Sequence, residues 1–316
     1  PRLLPRRWAT GPRQGGGSRP LHAAESMVLA GVPEESAEAI AALSTEIGAT
    51  GMEPLSDPLM LLRFYNARGR SVEAAAEMWR TTVTWRAEYP ICSLMAEYGD
   101  DQQYRPDGSR ASDASNWSWQ REPNTAEAKL CDSVGFFSRL RTRTQRGEPI
   151  MVWRVGTGDF NGIVREDMVD VMMRAWVAHL EDVLQDSRAA SLQSRRLVRA
   201  RLVVDAEGFS MRNVMYLPVL RRVIKLGQMY FPEVTESVTV VRAPGYIASI
   251  YELVRPWLAQ PIQEKICILG RDFAAGLQRH ADLDLSALPA FLGGEVSDEE
   301  VPAGERVPLG ARNIMA

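Results

Sequence analysis

Four short runs rich in β-branched residues, at 150–155, 202–205, 237–241 and 266–269, are separated by longer stretches whose apolar residues recur every third or fourth position. This alternation constrains the fold more than any other feature of the chain. The runs are too short for globular helices and suit strands buried on both faces. Between the first two, Val169, Met172, Met173, Trp176, Leu180 and Val183 fall on one helical face, and the stretch 215–229 does the same with Leu217, Leu220, Val223, Ile224 and Leu226. A strand–helix–strand order implies a parallel or mixed sheet covered by helices, so the predicted class is α/β.

Upstream the pattern is helical throughout. Order is expected to begin near Pro33, at the first turn of a helix whose Ile40, Leu43 and Ile47 share a face and which Gly48 ends in a left-handed conformation. A second helix opens at Ser56-Asp57-Pro58, and a third is capped by Ser71 and runs through Ala75, Met78, Trp79, Thr82 and Val83 to Arg86. Residues 33–98 therefore form a helical unit. Residues 99–125, rich in Asp, Ser, Asn, Gly and Pro, read as a linker or insertion; 126–296 hold the α/β domain and 297–316 a tail. The first 32 residues form a separate leader, Arg-rich and without an acid before Glu25. It reads as an organellar transit peptide, as a disordered leader, or as sequence upstream of a start at Met27.

Composition excludes several functions. A net charge of −3 argues against general nucleic-acid affinity. Cys92, Cys131 and Cys267 lie too far apart for a disulfide framework or a zinc site, and His22, His179 and His280 are too scattered for a metal centre. Neither metal nor cofactor is expected. No run approaches the roughly 18 apolar residues that a membrane-spanning helix needs. The acids Asp205 and Glu207 read as a strand-end turn rather than a catalytic pair, and 156–162 as a turn built on Asn161-Gly162 rather than a dinucleotide loop. No Gly-x-Ser-x-Gly elbow is present, and Arg139, Arg141, Arg143 and Arg146 read as a solvated loop, with an anionic membrane as the competing partner. An enzyme is not expected.

The stretch between Glu233 and Lys265 is the most telling functionally. Within 244–258, Ile247, Ile250, Tyr251, Val254, Trp257 and Leu258 form an apolar stripe, with Pro244 and Pro256 near its ends. A helix bounded by prolines moves as a unit, which predicts a lid over a greasy cavity. Tyr246, Tyr251 and Trp257 are suited to the headgroup boundary of a bilayer.

Seven blocks in order, DPLMLLRFYNARGRSVEAAAEMWRTTVTWR, GEPIMVWRVG, LVVDAEGFS, YFPEVTESVTVVRAP, LVRPWL, EKICILG and LPAFLGG, resemble the CRAL-TRIO family, specifically its phosphatidylinositol-transfer branch. The resemblance covers about residues 55 to 294. It implies a mixed β-sheet floor, a hydrophobic pocket above it, a helical gate at 244–258 and a helical N-terminal unit. It also implies that Glu233 and Lys265 bind an inositol phosphate headgroup, with Arg68 as a further phosphate contact. The chain departs from the family at Gly69, Ala200, Leu202 and Ile262, where a lysine and hydroxyl residues are usual, and at Arg242, which replaces an asparagine and offers a new anion contact. Loss of the hydroxyls weighs against phosphatidylcholine.

The function expected is that of a non-enzymatic carrier exchanging a phospholipid, phosphatidylinositol first, between membranes. Such a protein works in the cytoplasm with transient membrane contact. Alternatives are a carrier of an isoprenoid or other small apolar ligand, and a regulatory module that docks another protein around a vestigial pocket.

Overall fold

A computed structural model of the protein describes residues 20–48, 55–97, 138–156 and 158–297. The expected linker at 99–125, the leader up to residue 19 and the tail from 298 lie outside the described residues. Five helices come first: α1 (Pro20–Leu29), α2 (Glu34–Glu46), α3 (Pro58–Ala67), α4 (Val72–Glu88) and α5 (Ile91–Glu97). Their starts follow the local chemistry. Asp57 accepts a hydrogen bond from the Met60 amide at 2.9 Å, and Ser71 from the Ala74 amide at 3.3 Å, each satisfying a donor that the first helical turn leaves open. Gly48 stands at φ +62° beyond α2. Ordered structure begins before Pro33, because α1 packs on α2 and the turn between them fits against the end of a later helix: a Cβ on Gly31 would lie 2.3 Å from the Arg195 carbonyl oxygen.

The α/β part runs β1 (Ser138–Arg143), β2 (Pro149–Trp153), α6 (Phe160–Arg165), α7 (Val169–Ser194), β3 (Ala200–Asp205), a 3-10 turn (Met211–Tyr216), α8 (Leu217–Tyr230), β4 (Thr235–Val241), α9 (Ile247–Val254), a 3-10 turn (Arg255–Trp257), α10 (Gln260–Gln263), β5 (Ile266–Ile268) and α11 (Ala274–Ala281). The five strands form one sheet in the order β1-β2-β3-β4-β5. β1 is antiparallel to β2, and the remaining pairs are parallel, with Met151 beside Leu202 and Val238 beside Ile266. The mixed α/β class predicted from the sequence is thus the observed one. All four predicted strands are present, and β1 is the one the sequence hid.

Side chains alternate across the sheet with the period of a strand. Met151, Trp153, Ala200 and Val204 face a large core shared with α2, α3, α4, α7 and α8. Ile150, Val152, Val203 and Val241 face a smaller core closed by Phe273, Leu277, Leu283, Leu288 and Leu292.

Two local expectations need correction. Asn161 and Gly162 are not a turn: they lie inside α6, whose first turn is capped by Asp159 through the Gly162 amide at 2.9 Å. Arg139 and Arg143 are not in a solvated loop. They belong to β1, where Arg139 Nε lies 3.0 Å from Asp182 and Arg143 Nη2 lies 2.6 Å from Asp186, both acids on the buried side of α7. Buried carboxylates need such partners. Of the other two, Arg146 is exposed beyond the strand and the Arg141 side chain is outside the description.

Candidate functional site

A cavity of about 280 Å³ opens between the large-core face of the sheet and the helices above it. Trp153, Leu202 and Val238 make its floor, Trp176 and Leu180 of α7 one wall, and Leu220, Val223, Ile224, Gly227 and Gln228 of α8 the roof. Residues 231–235, the segment Leu258, Ala259, Pro261 and Ile262, and Ala67, Arg68 and Lys265 complete the lining. The floor exists because period-2 strands send every second side chain to this face. The roof exists because α8 carries leucine, valine and isoleucine at helical spacing on its inner side.

Three of the four predicted ligand-binding residues meet here. Glu233, Lys265 and Arg68 all line the cavity. Lys265 Nζ donates to both Glu233 carboxylate oxygens, at 3.2 and 3.0 Å, and to the Thr235 carbonyl at 3.0 Å. Arg199, which the sequence reading did not single out, holds the other side of the same carboxylate and also pairs with Glu236. Burial by itself would raise the Glu233 pKa, but the Lys265 ammonium and the Arg199 guanidinium outweigh it and hold the carboxyl below its usual range. Beneath this pair lies Arg63, 1% exposed, donating to the Glu233 carbonyl at 2.5 Å, to Ser191 Oγ at 3.3 Å and to the Val198 carbonyl. It fixes the chain at Glu233, whose backbone sits at φ +50°.

Gly69, where the family resemblance leads one to expect lysine, stands at φ +61° and Arg70 at φ +64°. The left-handed turn between α3 and α4 accounts for a glycine there.

Arg242 stands apart from the cavity. Its Nε lies 2.9 Å from Asp205 Oδ1 and its Nη2 2.5 Å from Oδ2, while Nη1 reaches Glu207 and donates to the Phe291 carbonyl at 2.9 Å. It ties the ends of β3 and β4 to the C-terminal segment, and Asp205 and Glu207 are its counter-charges.

The predicted lid is divided. Pro244 and Pro256 do flank α9, yet α9 spans only Ile247–Val254. Ile250 is buried, Ile247, Tyr251, Val254 and Trp257 are half-buried, Tyr246 is exposed, and of the predicted gate residues Leu258 alone touches the cavity. The direct cover is the segment 258–262, hydrogen-bonded to α8 through Gln228: its Nε2 donates to the Trp257 carbonyl at 3.0 Å, and its Oε1 accepts from the Ala259 amide at 2.8 Å. Arg221 lies over the Trp257 ring at 5.6 Å. A reciprocal side chain–backbone pair of this kind was not legible in the sequence, because Gln228 and Ala259 are 31 residues apart.

Among the described residues no cluster of His, Cys, Asp and Glu is arranged to hold a metal ion. Among the same residues, no helix is long and apolar enough to cross a membrane.

A mixed sheet under helices, with an apolar cavity between them whose lining includes the Lys265–Glu233 ion pair, defines an α/β protein with an internal pocket. Residues 135–294 match the CRAL/TRIO domain, and the chain belongs to that family. It is 24% identical over 263 residues to "Protein real-time" of Anopheles gambiae, covering 80% of this chain and 34% of that protein. It is 22% identical over 249 residues to the "Phosphatidylinositol/phosphatidylcholine transfer protein SFH13" of Arabidopsis thaliana, covering 75% and 34%. With the "SEC14 cytosolic factor" of Candida glabrata it shares 24% over 284 residues, 87% of this chain and 84% of that one. The chain spans about a third of the length of the first curated relatives it matches.

Proposed function

We propose that this chain is a non-enzymatic carrier that binds a phospholipid, phosphatidylinositol first, and exchanges it between membranes that it visits from the cytosol. The observation that carries the reading is one cavity lined by apolar side chains together with Lys265, Glu233 and Arg68. An ammonium there neutralises a phosphodiester, and a carboxylate accepts from inositol hydroxyls; both contacts strengthen where water is excluded. Arg199 matters to this exchange of partners. When Lys265 turns to a phosphate, Arg199 still compensates Glu233, so loading strands no buried carboxylate. The name of one relative, a phosphatidylinositol/phosphatidylcholine transfer protein, supports the carrier class, and that of another, a cytosolic factor, supports work from the cytosol.

Energetics favour a gated carrier over a tight binder. Burying acyl chains is worth about 0.8 kcal/mol per CH₂ against water, but a bilayer already supplies that burial, so the barrier lies in transient exposure. A cavity of about 280 Å³ lies near the lower end of ligand pockets, roughly 300–1,000 Å³. A two-chain lipid therefore requires the cover 258–262 and α9 to swing outward as the gate. The small volume, with Leu202 and Ile262 facing it in place of hydroxyl residues, also favours a second reading, a carrier of an isoprenoid or other small apolar ligand.

Extraction of the purified protein followed by mass spectrometry separates these. A stoichiometric inositol lipid is the expected result; an isoprenoid selects the second reading, and an empty pocket sinks both in favour of a protein-docking role. For the residues, Lys265→Ala and Glu233→Gln are expected to slow phosphatidylinositol transfer between vesicles by roughly tenfold or more, about one charge-assisted hydrogen bond. Unchanged transfer by folded variants rules out the assignment.

A further inference from the structure

The helical run 211–230 carries four cations, Arg212, Arg221, Arg222 and Lys225, and no Asp or Glu, in a chain whose net charge is −3. Its inner side roofs the cavity. Its outer side is open: Met211, Met215, Pro218, Arg222 and Lys225, spaced three or four residues apart, are all exposed, as are Arg212 and Arg221. Met211 is 61% and Met215 69% exposed, the two largest values for a large apolar side chain in this part of the molecule. Arg222 is answered by Asp170 at 3.0 Å. Among the described residues, Arg212, Arg221 and Lys225 meet no carboxylate.

Charge and apolar side chains on one open face point to a single kind of surface. Exposed methionines are costly in water and adapt readily to an irregular apolar partner. Cations around them are drawn to anionic lipid headgroups. The same face is continuous with the cavity's cover. Tyr246, at the start of α9, donates through its hydroxyl to the Phe209 carbonyl at 2.5 Å, next to the Met211 turn, and Gln228 and Arg221 of α8 hold the far end of the cover at Trp257 and Ala259.

We propose that the outer face of α8 and its Met211–Tyr216 shoulder form the docking surface for an anionic lipid bilayer, with Met211 and Met215 inserted among the headgroups and Arg212, Arg221 and Lys225 against their charges. Docking through this face brings the cover, which α8 holds from the side, to the membrane. The inference takes from the preceding reading only that the chain visits membranes, and it does not depend on which cargo fills the pocket.

Co-sedimentation of the full chain with phosphatidylcholine vesicles, with and without phosphatidylserine, tests it independently of lipid transfer. Binding is expected to rise with phosphatidylserine and to fall with added salt. Lys225→Glu and Arg212→Glu are each expected to weaken it by about fivefold or more, and Met211→Ser with Met215→Ser to weaken it at every salt concentration. Arg80→Glu, the same charge change at an exposed arginine of α4, serves as the control and is expected to have a smaller effect. Equal binding to both vesicle types, or equal loss with Arg80→Glu, overturns the proposal. Thermal unfolding of each variant separates loss of the surface from loss of the fold. A chain that carries lipid yet ignores anionic vesicles overturns this inference alone, and one that binds the vesicles but carries nothing overturns only the carrier reading.

Discussion

Arg63 is the one charged residue of α3, in the run LMLLRFYNA, and nothing nearby in sequence gives its task. In the fold it is buried, and burial, reinforced by Arg199, lowers its pKa to about 10, which still leaves it charged at neutral pH. Its three hydrogen bonds brace α3, α7 and the turn that presents Glu233. His179 is a second buried titratable group, on α7, with its pKa pushed down by burial from 6.5 to about 4. As pH falls below 6.5 the unfolded chain takes up a proton that the folded one refuses until about 4, so stability is complete above that window and falls across it. The loss amounts to about 3 kcal/mol. Urea denaturation at neutral pH and near pH 4 should therefore show wild type losing more stability than His179→Leu by about this amount. An equal loss would mean that the imidazole is protonated within the fold.

Among elements, the cover of the cavity departs most from the sequence reading. The apolar stripe across 244–258 predicted one lid helix. Pro256 and Pro261 instead stand in the first turns of new short elements, each lacking the amide that would continue the previous helix. The stripe is real, but most of it packs beside the chamber rather than over it. What ties the covering segment to α8 is Gln228, through two hydrogen bonds worth about 1 kcal/mol each. Gln228→Leu keeps the volume and removes both. Hydrogen exchange across 255–263 is expected to quicken by roughly tenfold, and the proposed lipid exchange with it. Unaltered protection would show that the segment is held by something else. Elsewhere the elements were legible wherever their signals were local: Asp57, Ser71 and Gly48 mark helix ends as their chemistry requires. β1 was not, because Arg139 and Arg143 read as surface residues until Asp182 and Asp186, 43 positions away, are placed against them.

At the scale of the whole molecule, the helical N-terminal unit is welded to the α/β part. Ile40, Leu59, Phe64 and Trp79 share one core with Met151, Trp176, Leu184 and Val204. Arg86 of α4 grips the fully buried Glu181 of α7 through two hydrogen bonds of 2.7 Å, and Asp57, besides capping α3, pairs with Arg188 at 2.6 Å. Calorimetry is expected to show these parts unfolding in one transition with matching calorimetric and van't Hoff enthalpies. Arg86→Met, which strands Glu181, should lower stability by about 3–5 kcal/mol. Two separate transitions would show that the units are independent.

The amino-acid order by itself determined the α/β class, four of the five strands, the helix ends marked by Gly48, Asp57 and Ser71, and the grouping of Glu233 with Lys265 that the family resemblance implied, because periodicity, capping and motif order are carried by neighbours along the chain. Only the tertiary structure decided which arginines are buried and which face solvent, that Arg242 braces strand ends instead of facing the chamber, that Arg199 joins the Glu233 pair, and which segment covers the cavity. Ionic partnership and enclosed volume depend on groups tens or hundreds of residues apart, whose mutual distance is set by packing and by no local pattern.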